Sequence, residues 1–473
     1  MKLDLKKFAN ACNPSKTIVV SNPQDRQYYI DFAAVRGGKI IEELKSDITE
    51  FSQDGTTCGL FTGHIGCGKT TELLRLKCEL EESGYHVVYF ESTQDLEIDD
   101  VDISDVMLAI ARRVYESLDG LQKVELPEPK GLKRILKGAA KLLMTEVSLD
   151  AEFSPLGMAD VSVNTEGEFS AKVPGMGEVS ASKKQGFTVV APGIGKITAK
   201  AKDSPEVRNK LREYLEPQTK SILELINQEL LEPAKEQLKK FGLRGLVVIV
   251  DNLDRVETAR KPWGRPQAEY LFVDRGEQLR QLQCHVVYTM PLSLRFSDDF
   301  GRLIDRFPVR PKVLPMVPVR YRDGNICPEG MYLMQKMVLV RAFPEEQPEP
   351  TPEFIGAIFD TKETLEQLCL YSGGHVRELL RLLYEWIKKD RQLPLSGMTL
   401  EILITSRCNE MCLGITDEEW ELLRQVHKRK QVRGDSNYRK LIHSRLVYEY
   451  CDRQGFWFDI NPILAGAEEL KGE

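Results

Sequence analysis

Apolar residues recur along this chain in two rhythms. Short continuous runs at residues 58–62, 86–90, 246–250 and 285–289 have the length and composition of strands buried on both faces. Between them, apolar positions fall three and four apart. The first such stretch covers 38–51 and the second 70–80, with Leu73, Leu74, Leu76 and Leu80. A third carries Val106, Ile110, Ala111 and Val114. A long helical segment over 205–241 and another over 267–283 complete the series. Strands that alternate with helices predict an α/β fold built on a doubly wound parallel sheet.

Residues 121–203 interrupt that order. The part from 130 to 144 is basic and amphipathic. The remainder is rich in Gly, Ser, Ala and Lys, with short alternating runs at 161–163 and 187–190. Such a segment suits β-hairpins, a flexible loop, or a piece ordered only in an assembly. Beyond residue 318 the pattern is mostly helical, with a Pro/Glu-rich linker at 344–352. Helices near 417–427 and 436–444 then precede two apolar runs, 446–450 and 456–460, across a turn at 452–455. Two helices and a β-hairpin outline a winged helix. The expected organisation is an N-terminal segment (1–56), a core (57–120 and 204–320), an insertion (121–203), a helical lid (321–395) and a winged-helix domain (396–473).

A length of 473 residues fits two or three domains, and 42% hydrophobic with 29% charged residues is a globular composition. The net charge of −7 excludes a protein that coats nucleic acid over its whole surface, so any such contact is local. No apolar run is long enough to span a membrane, and residues 1–10 lack the apolar core of a secretory signal. The ten cysteines are scattered, without a Cys-x-x-Cys pair. Cys408 and Cys412 lie one helical turn apart, but a zinc site there would need two further ligands at a suitable spacing. Reduced thiols in a cytoplasmic chain are expected.

The sharpest chemical signal is Gly63-His64-Ile65-Gly66-Cys67-Gly68-Lys69-Thr70-Thr71, a G-x-x-x-x-G-K-[ST] phosphate loop between a strand and a helix. Its glycines let main-chain N–H groups turn toward phosphates, and the following helix offers them its positive end. Lys69 supplies a charge for the β- and γ-phosphates, and the Thr70 hydroxyl can ligate Mg²⁺. The partner feature is an apolar strand ending in an acid. Residues 246–250 followed by Asp251 supply it, with Asp251 holding Mg²⁺ through water. ATP and Mg²⁺ are the cofactors these motifs imply.

The stretch Val248-Ile249-Val250-Asp251-Asn252-Leu253-Asp254-Arg255 resembles the D-[DN]-L-D-R strand of the KAP group of P-loop NTPases. It is also similar to the STAND and origin-recognition ATPases of the AAA+ superfamily. Tyr288-Thr289-Met290-Pro291 resembles the end of that superfamily's sensor-1 strand. Ser372-Gly373-Gly374-His375-Val376-Arg377 resembles the start of its sensor-2 helix. The resemblance covers roughly residues 35–120 and 205–390. It implies an ATPase in which Thr289 and Arg377 sense the γ-phosphate. Many AAA+ proteins place a catalytic Glu directly after the metal-binding Asp; here that position is Asn252, which cannot take a proton. Asp254 is the next acid and the candidate to orient water, so slow hydrolysis and a long-lived ATP state are expected. For an arginine supplied to a neighbouring subunit, Arg302 and Arg306 are the candidates, with Arg295 a weaker one. The alternative is a solvated helix face with Arg306 paired to a carboxylate.

These features imply a cytoplasmic nucleotide switch that assembles into a homo-oligomer or engages a partner, in bacterial defence or regulation, any effector being a separate protein. Two alternatives stand beside it. Lys428, Arg429, Lys430, Arg433, Arg439 and Lys440 form a basic cluster by which a DNA-binding initiator or transposition-type ATPase could hold DNA through residues 428–440. Leu132, Ile135, Leu136, Ala139, Leu142 and Leu143, flanked by Lys133, Arg134, Lys137 and Lys141, suit an anionic membrane surface met through residues 131–144, or a helix packed on the core.

Overall fold

The computed structural model describes residues 3–471, except 53–54, 122–125, 148–160, 164–168, 172–192, 196, 198–203, 257–259, 308 and 435. In chain order, α1 (Ile40–Thr49) precedes β1 (Cys58–Gly63), which leads into α2 (Lys69–Glu82). Then come β2 (Tyr85–Glu91), α3 (Ile103–Asp119) and α4 (Lys130–Val147). A short antiparallel ribbon follows, β3 (Val161–Val163) with β4 (Phe169–Ala171). After α5 (Pro205–Leu215) and α6 (Thr219–Ile226) come β5 (Gly245–Asp251), β6 (His285–Thr289) and β7 (Lys312–Leu314). The C-terminal part comprises α7 (Pro328–Ala342), α8 (Lys362–Ser372), α9 (Val376–Asp390), α10 (Gly397–Cys412), α11 (Asp417–Arg429) and α12 (Ser436–His443). It ends with β8 (Val447–Asp452) and β9 (Gly455–Ile460). Of the inserted segment's two alternating runs, 187–190 lies outside the described residues.

By internal contacts the chain divides into two compact units. One comprises residues 1–51, 59–80 and 289–473. In it β1 pairs in parallel with β7, Gly63 facing Leu314 in register. Its core runs through α7, α8 and α9 (Val338, Leu368, Leu379, Trp386) into the terminal helices and hairpin (Leu400, Leu423, Leu441, Val447). α10, α11 and α12 followed by the β8–β9 hairpin make the expected winged helix. The hairpin turns through Arg453 and Gln454, and Asp452 pairs with Gly455, whose φ of +102° is the left-handed region glycine favours.

The other unit comprises residues 52–58 and 81–288. Its strands pair in parallel in the order β2–β5–β6, with Glu91 beside Asp251 and Val250 beside Tyr288. Every residue of β5 is buried, as its unbroken apolar run requires. α3 begins with a reciprocal cap: the Asp102 side chain accepts from Ile103 N–H, and the Asp105 carboxylate accepts from Asp102 N–H at 2.8 Å. Three parallel strands here and two in the first unit, flanked by helices and with the phosphate-loop pattern between β1 and α2, are those of an α/β P-loop fold.

Two sequence expectations are corrected. The long helix over 205–241 is a chain of shorter pieces. A 3-10 turn at Glu216–Gln218 carries Pro217, a π turn occupies Asn227–Leu231, and Pro233 opens Glu232–Lys240. Proline removes a helix donor and crowds the preceding turn, which accounts for the breaks at the prolines. The helix over 267–283 is likewise divided by a π turn at Tyr270–Asp274. For α4 the sequence left two alternatives, and the packing bears on them. Leu132, Ile135, Leu136 and Ala139 are buried, and Glu229 accepts the Gly131 and Leu132 N–H groups at 2.9 and 3.0 Å. A Cβ on Gly138 would lie 1.8 Å from the Tyr214 hydroxyl of α5, and one on Gly131 would strike Leu225 of α6. The apolar face that a membrane would need is therefore covered by this unit's own helices; the Leu143 side chain lies outside the described residues. No helix among the described residues is long and apolar enough to cross a membrane.

Because Leu132 is fully buried, Leu132→Ala is expected to lower the unfolding free energy by about 2–5 kcal/mol in urea titrations. An unchanged midpoint would mean that α4 is not packed.

Candidate functional site

A phosphate loop that turns its N–H groups inward must turn its carbonyls outward, and buried carbonyls need donors. Each carbonyl from Gly63 to Cys67 has one. The Lys69 ammonium donates to Gly63 O at 2.8 Å and His64 O at 3.0 Å. His375 Nε2 donates to Ile65 O at 3.0 Å, Arg377 main-chain N–H to Gly66 O at 3.2 Å, and Arg36 Nη2 to Cys67 O at 2.9 Å. Gly68 O then accepts from Glu72 N–H at 3.1 Å as α2 begins. Gly66 has φ +92°, and a Cβ there would lie 2.7 Å from His375 Cε1, so only glycine allows the lid helix this close. Thr70 and Thr71 stand half-buried in the first turn of α2.

The His375 ring serves two elements. Its Nδ1 accepts from Glu378 N–H at 3.0 Å and caps α9, so Nε2 carries the proton that goes to Ile65 O. Burial pushes its pKa down to about 3, and the Ile65 hydrogen bond opposes this only partly. It is thus a neutral donor. Gly373 and Gly374, both at positive φ, turn the chain into this cap, and a Cβ on Gly374 would overlap Val317 O at 1.7 Å. Arg377 follows in the first turn of α9. Thr289 is fully buried at the end of β6.

The arginines considered for a trans role sit in this unit too. Arg302 is exposed and pairs with Asp299 at 2.9 Å. Arg306 is half-buried at the end of the helix Phe300–Arg306. Arg295 is committed within its own chain: it pairs with the buried Glu449 carboxylate and lies over the Phe456 ring at 4.4 Å.

In the other unit, Asp251 closes β5 with its side chain buried. Its carboxylate accepts from the Tyr89 hydroxyl at 2.9 Å and from Asn252 N–H at 2.7 Å. Burial, and then the Asp251 charge, hold the Tyr89 phenol well above its ordinary value, so it stays a donor. Asn252 has φ +60°, a conformation that Asn tolerates better than most residues. Asp254 is buried on the short turn Leu253–Arg255. Among the described residues there is no cluster of three or more metal-ligating side chains. Mg²⁺ needs none, since it takes one or two carboxylates together with phosphate oxygens and water. Sequence reasoning missed Arg36 and Tyr89, and gave no role to the rings of His64 and His375. Nothing in the spacing of Arg36 and Tyr89 from the motifs marks them.

No family model matches the chain, and no curated protein does. Among solved structures it is similar to Drosophila ORC bound to DNA, at 10% identity and a TM-score of 0.37, over 99% of this chain and 90% of that one. It is similar to a Walker-type ATPase of Pyrococcus abyssi at 11% identity and a TM-score of 0.41, over 98% and 99% of the two chains. Cdc6p from Pyrobaculum aerophilum matches at 11% identity and a TM-score of 0.34, over 94% and 97%.

The basic cluster of the winged helix is partly spent on internal pairs. Lys430 and His427 both reach Asp459, at 2.6 and 2.8 Å, and Lys440 reaches Glu419 at 2.6 Å. Lys428, Arg429 and Arg433 are exposed and Arg439 is half-buried. Burial raises the Asp459 pKa, but the His427 and Lys430 hydrogen bonds outweigh it and hold the carboxyl below its ordinary value. A depressed carboxyl contributes stability above its unfolded pKa of about 3.9 and loses it as pH falls through the folded value. Asp459→Asn is therefore expected to destabilise the protein in urea at pH 7 and to flatten its acid sensitivity below about pH 4. Equal acid sensitivity in variant and wild type would rule this out.

Proposed function

We propose that the protein is a Mg-ATP-dependent switch of the P-loop type that hydrolyses ATP slowly and couples the bound state to assembly or partner engagement in the cytoplasm. One observation carries the reading: a phosphate loop with each carbonyl from residue 63 to 67 held by a donor, two of those donors being the cationic groups of Lys69 and Arg36. A backbone so held has its N–H groups and fixed positive charge in place before an anion arrives, which lowers the ordering cost of binding.

In this reading Lys69 and the N–H groups of Gly66, Gly68, Thr70 and Thr71 bind the phosphates. The Thr70 hydroxyl and the Asp251 carboxylate are the donors that suit Mg²⁺. Bound, Mg²⁺ would neutralise charge on the transferred phosphoryl group. Tyr89 and the Asn252 amide hold the Asp251 carboxylate in place. Asn252 can hydrogen-bond water but cannot take its proton, so Asp254 is assigned the water-orienting role. Thr289 and Arg377 sense the γ-phosphate, and Arg306 is the arginine offered to a neighbouring copy. A homo-oligomer and a separate effector or target protein complete the scheme.

Calorimetry with a non-hydrolysable ATP analogue is expected to show binding by the wild type and none by Lys69→Ala; equal affinities would sink the reading. Asp254→Ala should bind the analogue normally yet lose about 10²-fold or more in turnover. Light scattering should show larger particles with ATP for the wild type only, and an unchanged monomer in every sample would remove the assembly step.

A second reading rests on the exposed Lys428, Arg429 and Arg433 of the winged helix. As a DNA-holding face they would give binding that weakens with salt, with about one unit of slope lost for each cation replaced by Ala. Absence of salt-dependent DNA binding would remove it.

A further inference from the structure

We propose that strand β8 of the winged-helix domain is part of the support of the phosphate loop, with His64 and His375 as positioning residues that link its docking to nucleotide affinity; this rests on the nucleotide reading above. Both edge groups of Glu449 go outside the hairpin. Its N–H donates to His64 Nε2 at 3.0 Å, and its carbonyl accepts from Met316 N–H at 2.9 Å. The Tyr448 ring stands against both histidines, with centroids 5.7 Å from His64 and 5.6 Å from His375. The Tyr450 hydroxyl donates to Gly373 O at 2.8 Å, fixing the turn that delivers His375.

Residue 64 therefore holds two things at once. Its carbonyl takes the Lys69 ammonium and its ring takes β8. His375 is tied in the same way, to Ile65 O through its ring and to β8 through Tyr448. A displacement of β8 that moved either ring would move the carbonyls that set the loop. His64 must be unprotonated at Nε2 to accept from Glu449. Burial, and then the Lys69, Arg445 and Arg295 charges, keep its pKa well below the ordinary value. The docked strand thus favours the loop conformation that binds phosphate. By linkage a bound nucleotide must favour the docked strand equally. No base-edge or phosphate contact from β8 is needed, since the coupling runs through the loop's own backbone.

The experiment uses the full chain, a non-hydrolysable Mg-ATP analogue and two readouts: analogue affinity by calorimetry and exchange of the Glu449 amide hydrogen. In the wild type, analogue should slow that exchange. His64→Ala should speed it and weaken binding about tenfold, within the usual range of coupling between sites. His64→Gln, whose amide oxygen can accept the same N–H, should recover both. Tyr450→Phe, whose lost hydrogen bond goes to Gly373 rather than to the loop, should weaken binding in the same direction and serves if His64→Ala does not fold. Analogue affinity unchanged in His64→Ala and Tyr450→Phe, with Glu449 exchange faster, would overturn the coupling while leaving nucleotide binding intact. A wild type that binds no analogue would overturn the nucleotide reading and the coupling with it.

Discussion

The carbonyl groups of residues 63 to 67 impose the constraint on which the rest of the first unit depends. These five consecutive oxygens lie in surroundings where a lone acceptor costs about 1–3 kcal/mol. The donors come from three places far apart in sequence: Lys69 beside the loop, Arg36 from the N-terminal segment, and His375 with Arg377 from the lid. Two of the donors bring positive charge and two do not. That division matters, because a loop capped by four cations would repel itself in the absence of ligand. The neutral imidazole of His375 supplies a hydrogen bond without charge, and the low pKa given by burial keeps it so.

The same constraint explains why the lid and the terminal domain belong to one compact unit with the loop. The short approach to Gly66 and Gly374 leaves no room for a side chain, so α9 is seated on the loop by backbone rather than by long flexible groups. Arg295, half-buried, pairs with the buried Glu449 carboxylate and so joins the segment after β6 to β8. A buried ion pair is weak evidence for stability, since desolvation offsets much of the attraction, but it fixes register well. Here it fixes which residue of β8 stands opposite His64.

What was legible in the sequence follows from how local each feature is. The phosphate loop, the acid-tipped strand β5 and the winged-helix turn at 452–455 are set by neighbours within a few residues, and all three stand where the pattern puts them. The breaks at Pro217 and Pro233 were equally local and carried their own signal. Strand β7 was not legible, because three residues show no period. Nor were Arg36 and Tyr89, whose partners lie 31 and 162 positions away. The face of α4 was legible as amphipathic but not as to what covers it. Apolar periodicity is the same for lipid and for core. Gly131 and Gly138 held the distinguishing information, since small residues mark a close helix approach that a membrane surface does not require.

Asn252 shows how one residue can set a conformation and hold its neighbour. Its φ of +60° would strain most side chains, whereas Asn occupies the left-handed region at low cost. In that conformation its N–H returns to the Asp251 carboxylate at 2.7 Å, so the residue that ends the strand is held by the one that follows it. A glutamate at 252 would restore a proton acceptor, but at a position where the backbone favours Asn and Gly over longer side chains. The chain thus trades an acid next to Asp251 for a tight turn around it, and the nearest acid becomes Asp254, one turn further on and buried. The Asp251 carboxylate is thus held by the turn that follows it, and the buried Asp254 lies outside that hold.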